Sequence, residues 1–152
     1  MRYEIDARIV GPGLSEATCK SSRIAFDSSP GQSPELPGPA ELLASAFAAC
    51  LLKNVERFAG ILPFHHEGAA VHVTAERQGN PPRFARIHYE LRVLTDEDPA
   101  RVDLLHRNLR KHGTVYNTLA AVCDITGNLV AEPISGASVL TLPADREGAA
   151  PA

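Results

Sequence analysis

Tryptophan is absent from the 152 residues, and cysteine is scarce: only Cys19, Cys50 and Cys123. An odd number of thiols without CxxC or metal-ligand spacing argues against a disulfide framework and against a structural zinc site, and leaves reduced thiols as the default. A basic surplus is missing too. Fifteen Lys and Arg against eighteen Asp and Glu give a net charge of -3, so there is no cationic tract to release counterions from a phosphate backbone, which argues against nucleic acid as a partner. Long apolar runs are lacking as well. The longest, Leu42 to Leu52, holds eleven residues including Ser45, far below the roughly 20 that cross a bilayer. The opening Met1-Arg2-Tyr3-Glu4-Ile5-Asp6 alternates like a strand and has no secretion-signal core. These absences lead to an expectation of a cytoplasmic protein that does not enter a membrane. One domain is expected over residues 1–142, followed by a tail, 143–152, too poor in large apolar residues to order itself.

What is present is a succession of two periodicities. Tyr3, Ile5, Ala7 and Ile9 share one face of a strand over residues 3–10, opposite Glu4, Asp6 and Arg8. Gly11-Pro12-Gly13 breaks it, and a second extended stretch from about Thr18 to Phe26 makes the first 27 residues an antiparallel meander. Pro30, Pro34, Pro37 and Pro39 remove backbone donors and fix φ, so Ser28 to Gly38 is an irregular loop. Pro39 suits the first turn of a helix, Glu41 its positive end and Gly60 its exit, which predicts a helix from about Pro39 to Ala59. Val71, Val73 and Ala75, then Ile87, Tyr89, Leu91 and Val93, alternate with polar residues on either side of Gly79-Asn80-Pro81-Pro82, a hairpin with one wet face. Asp98-Pro99 opens a helix with Val102, Leu105 and Leu109 at helical spacing and Gly113 as its stop. Thr114 caps a short helix to about Val122, and Ile125 to Val130 and Ser138 to Leu142 read as closing strands. The fold class is α+β.

The first helix is the unusual element. From Leu42 to Leu52 every residue but Ser45 is apolar, so most of it has no face to offer water. A domain of this size does not enclose a helix on all sides by itself, so the expectation is a sheet against one face and a two-fold copy of the chain against the other.

Three segments resemble the OsmC/Ohr family of osmotically inducible and organic hydroperoxide resistance proteins. Gly38-Pro39-Ala40-Glu41-Leu42-Leu43-Ala44-Ser45-Ala46-Phe47-Ala48-Ala49-Cys50 is similar to the Asn-Pro-Glu-x-Leu stretch leading into the family's cysteine helix. Asn80 to His88 is similar to the family's hairpin and long strand. His112-Gly113-Thr114-Val115-Tyr116-Asn117-Thr118-Leu119 is similar to Cys-Pro-Val-Ser-Asn-Ala-Leu, which normally supplies a resolving cysteine. The resemblance spans most of residues 1 to 130. It implies an intertwined homodimer of antiparallel sheets around a central buried helix, with Cys50 as peroxidatic thiol and no cofactor. Two departures stand out: Gly113 occupies the place of the second cysteine, and Ala40 that of the acidic residue, with Glu41 beside it.

For peroxide chemistry Cys50 must be a thiolate, and burial disfavours that form unless a cation or donor compensates. Arg23, with Arg8 as an alternative, is the expected activator, oriented by Glu41 through a bidentate pair. Phe47 and Tyr116 are expected in the substrate pocket. The product of oxidation is a sulfenic acid that another thiol must trap. Gly113 cannot do so. Cys19 is a possible resolver, Cys123 a more remote one, and an external dithiol reductant is the preferred route. His65, His66, His72, His88, His106 and His112 show no helical HxxxH pair, and no metal is expected; His72 and His88 read as partners on the wet hairpin face. The competing reading is a non-catalytic dimer that binds a small apolar ligand in the cleft around Cys50.

Overall fold

The computed structural model of the chain describes residues 1–136 and Leu140. Apart from Leu140, the strand expected at Ser138–Leu142 and the tail 143–152 lie outside the described residues. The chain falls into two compact units, Met1–Ser45 and Ala46 onward.

The first unit is a three-stranded antiparallel meander of β1 (Asp6–Gly11), β2 (Leu14–Cys19) and β3 (Ser22–Asp27). The sequence reading joined the second and third strands into one stretch from Thr18. The chain instead turns at Lys20, whose φ of 55° is left-handed, a turn without the Asn-Gly or Asp-Gly pair that would mark it. β1 also starts at Asp6, not Tyr3, and the apolar face expected to be buried is open: Ile9 is 77% and Ile24 44% exposed. Asp27 organises the proline-rich loop. Its carboxylate accepts the N–H groups of Ser29 (2.8 Å) and Ser33 (2.9 Å), and its own N–H reaches the Pro37 carbonyl at 2.9 Å. These bonds hold the Asp27 carboxyl below its ordinary value, with Ser29 as the largest cause.

α1 (Pro39–Ile61) begins where the sequence predicts. The Leu42 N–H closes on the Gly38 carbonyl at 3.0 Å, and Glu41 returns the favour by accepting the Gly38 N–H at 3.1 Å, a reciprocal cap. Within the second unit the helix buries Phe47, Leu51, Asn54, Val55 and Phe58, positions that recur every three or four residues and form one stripe. Each large apolar member contributes about 1.5–3 kcal/mol. Ala46 and Ala49 on the opposite side are exposed, so in the single chain the helix is covered on one face only.

That stripe packs in a core with β4 (Gly68–Gln78), β5 (Arg83–Leu94), α2 (Pro99–His112), α3 (Thr114–Ala120) and β6 (Asp124–Glu132). β5 supplies Ile87, Tyr89, Leu91 and Val93 inward, as the alternation predicts, while Arg92 on the other face bonds Glu90 and Glu132 at 2.7 and 3.0 Å. β4 pairs with β5 antiparallel, but β6 runs parallel to β5. The α2–α3 connection returns the chain to the end of the sheet where β5 begins, a crossover that period-2 patterning does not reveal. Gly127 lies opposite Tyr89, and a Cβ there would run into the Tyr89 ring and carbonyl; the ring occupies the space that this glycine leaves. The described residues form an α+β fold of two three-stranded sheets and three α-helices.

Candidate functional site

Cys50 lies midway along α1 and is half-buried. The Asn54 amide and Gly113 are two of the neighbours of its sulfur. The Asn54 amide, one turn on, places Nδ2 3.6 Å from Sγ while donating to the Cys50 carbonyl at 2.8 Å. On the other side is Gly113, buried at the junction of α2 and α3: a Cβ built there would lie 3.2 Å from Cys50 Sγ, 3.1 Å from the Leu109 carbonyl oxygen and 2.9 Å from Tyr116 Cβ.

Gly113 is C-cap of one helix and N-cap of the next. Its N–H reaches Leu109 O at 3.2 Å, and its carbonyl takes the Asn117 N–H at 2.9 Å. With φ -74° and ψ 116° the backbone is one any residue adopts, so glycine is needed here for space and not for conformation. The cap predicted at Thr114 falls one residue earlier, because Thr114 already belongs to α3.

Beside this junction is an aromatic cluster. Phe47 stacks on Tyr116 at 5.7 Å and tilts against Tyr89 at 5.9 Å, with Tyr89 edge-on to Tyr116 at 6.4 Å. The Tyr116 hydroxyl accepts Arg110 Nε at 3.1 Å, and that bond raises the guanidinium's affinity for its proton. Tyr89 Oη and His106 Nε2 are 2.6 Å apart. Burial, reinforced by Tyr116 and opposed by Arg110, pushes the Tyr89 phenol up to about 12. Burial, then Arg110, lowers His106 against the pull of Asp103. At neutral pH the phenol therefore donates to an unprotonated imidazole.

The expected site residues are thus placed as follows. Phe47 is fully buried and Tyr116 is 6% exposed, so both stand in the packed core, Tyr116 against Gly113. Glu41 caps its own helix. Arg23 and Arg8 both approach Glu16 Oε1 at 3.6 Å. Cys19 ends β2, paired with Ser22. Cys123 donates to the Leu119 carbonyl at 3.1 Å, and burial, then Asp124, pushes its thiol up. His72 and His88 are not opposite one another: His72 faces Glu90, and His88 faces Thr74 and bonds Thr126 at 2.9 Å. Among the described residues no group of three His, Cys, Asp or Glu is arranged to hold a metal, and no described helix is long and apolar enough to cross a membrane. Sequence reasoning missed Asn54, although its spacing of four from Cys50 on a helix was a usable signal. His106, whose partner Tyr89 is 17 residues away, offered none, and Arg110 is separated from Tyr116 by six residues and the break at Gly113, outside helical spacing.

Residues 31–127 match the family model of OsmC-like protein. No curated protein matches the chain. Among solved structures, the OsmC-like protein of Mycoplasma pneumoniae superposes with a TM-score of 0.79 at 21% identity, covering 86% of this chain and 97% of that one. The organic hydroperoxide resistance protein OsmC of Legionella pneumophila gives 0.66 at 14% identity, covering 84% and 96%. The organic hydroperoxide resistance protein OhrB of Bacillus subtilis gives 0.59 at 20% identity, covering 86% and 98%.

Two results are expected from this geometry. A Cβ at 113 falls within the reach of a disulfide, whose S–S bond is about 2.05 Å with Cβ atoms about 3.5–4.5 Å apart. Gly113→Cys, combined with Tyr116→Ser so that loss of the ring lets this turn of α3 shift away from the new Cβ, is expected to bond to Cys50 on mild oxidation. Peptide mapping by mass spectrometry reads it, and an introduced thiol that remains free would refute the placement. His106 supplies the second result. Its lowered proton affinity means that the unfolded chain binds the proton more readily, so the stability this residue provides is present above about pH 6.5 and fades as pH falls below it. Urea titrations at pH 7.5 and 5.5 should show a smaller loss in His106→Gln than in the unaltered protein; equal losses would contradict this.

Proposed function

The chain belongs to the OsmC-like protein family, and from that membership we propose that it is a thiol-dependent peroxidase reducing organic hydroperoxides through Cys50 in oxidative stress defence. The observation that carries this reading is the 3.2 Å between Cys50 Sγ and a Cβ at Gly113. The two thiol positions implied by the family resemblance are adjacent, and this chain fills one of them.

The cycle then uses a single protein thiol. The Cys50 thiolate attacks the terminal oxygen of ROOH. An S–O bond forms, the O–O bond breaks, and the alkoxide leaves as ROH with a proton from solvent. Cys50 is now a sulfenic acid. One sulfur of an external dithiol attacks the Cys50 sulfur and expels water, giving a mixed disulfide. The second sulfur of that dithiol then releases the Cys50 thiolate and leaves as a cyclic disulfide. The hydroperoxide is reduced by two electrons and the dithiol oxidised by two. Cys123 is a poor substitute for the external reductant, because burial holds it in the thiol form.

The working unit of this proposal is a homodimer. Ile9, Ile24 and Leu43 are exposed in the single chain, and a second copy covers such surface. Arg23 and Glu41 remain the proposed activators, from either copy of the chain, although in the single chain Arg23 approaches Glu16 and Glu41 caps α1.

Steady-state consumption of cumene hydroperoxide with a dithiol reductant tests the proposal. Turnover is expected to vanish in Cys50→Ser and to persist in Cys19→Ser and Cys123→Ser, with light scattering giving twice the chain mass of 16.3 kDa. Turnover that survives Cys50→Ser, or tight binding of an apolar ligand without any turnover, would replace the peroxidase with the ligand-binding reading.

A further inference from the structure

We propose that Asn54 is the donor that favours the anionic, reactive form of the Cys50 sulfur. Asn54 is the sole polar side chain on the buried stripe of α1, and it is 8% exposed between Leu51, Val55 and Phe58. An amide in such surroundings is unfavourable unless its N–H groups find acceptors. The helix itself does not need this one. By α-helical geometry the Cys50 carbonyl already receives the Asn54 backbone N–H, so the side-chain bond to the same oxygen at 2.8 Å adds nothing to the ladder. It does fix the amide, with Nδ2 3.6 Å from the sulfur.

A thiol is a weak acceptor, whereas a thiolate is a charged one and takes a fixed N–H donor far more strongly. The amide thus acts on the difference between the two protonation states, which is the quantity that sets thiol reactivity. The same donor serves the oxygen-bearing sulfur after oxidation, where no neighbouring cysteine stands ready at Gly113. Ionisable groups on the surrounding elements have other partners: Arg110 is bonded to Tyr116, Tyr89 to His106, and the His112 ring lies on Phe58 at 5.3 Å. On α1 itself Lys53, Glu56 and Arg57 are exposed, Arg57 lying over Phe58. Only the use made of the thiolate rests on the peroxidase reading; the donor role does not.

The test uses protein carrying Cys19→Ser and Cys123→Ser, so that Cys50 is the one thiol, and follows its alkylation by iodoacetamide as a function of pH. No peroxide is involved, so failure of this inference and failure of the peroxidase reading are distinguishable. Asn54→Ala is expected to slow alkylation near neutral pH several-fold, and Asn54→Asp, which sets a carboxylate where the donor was, to slow it further. A purely structural role would lower the melting temperature and leave the profiles superimposed, and that result overturns the proposal. Should the variants not fold, the Asn54 side-chain amide protons of the otherwise unaltered protein can be followed by NMR through the thiol titration. They must shift with it; amide protons that ignore the titration also overturn the proposal.

Discussion

Everything around Cys50 depends on how closely the middle of α1 approaches the break between α2 and α3. The approach requires a residue without a side chain at the break, because a Cβ there would press on Tyr116, on the Leu109 carbonyl and on the Cys50 sulfur at once. Gly113 meets that requirement. The helix ends then satisfy their backbone groups through the glycine itself, and Tyr116 moves into the room that a larger residue would have taken. The lack of a side chain at this position thus has a direct packing consequence: the Tyr116 Cβ, the Leu109 carbonyl and the Cys50 sulfur all stand close to the glycine.

The cluster beside the junction is polar at its margins and filled at its centre. Phe47, Tyr89 and Tyr116 provide area, while Arg110 and His106 take up the two phenol hydroxyls. Buried polar groups satisfied in this way fix side-chain orientation more sharply than an apolar core does. Asn54 obeys the same logic on the helix side. The sulfur therefore sits beside a fixed amide and a fixed backbone turn.

Much of this was legible in the sequence, and the reasons differ by element. α1 announced itself through Pro39, Glu41 and an apolar run too long for a half-exposed helix. β5 did so through strict alternation at Ile87, Tyr89, Leu91 and Val93. The spacing from Cys50 to Gly113 carried no local signal, and only resemblance to the OsmC/Ohr motifs paired them; the structure places the two side by side. The turn at Lys20 was invisible because its left-handed residue is a lysine, not a glycine. The parallel pairing of β6 was invisible because strand direction is not encoded in period-2 pattern. The bonds of Tyr89 to His106 and of Thr95 to the His65 carbonyl join residues 17 and 30 apart, beyond any window in which spacing rules operate.

The central claim is that Cys50 is oxidised by organic hydroperoxides and waits as a sulfenic acid for an external thiol. Intact-mass and peptide analysis after brief exposure to cumene hydroperoxide, with a sulfenic-acid trap added in one arm and a dithiol added ahead of the trap in another, addresses it most directly. The account requires rapid trapping at Cys50, little at Cys19 or Cys123, and reversal by the dithiol before any trap is added. An inert Cys50 under conditions that oxidise free cysteine, or an immediate disulfide between Cys50 and Cys19, would contradict it.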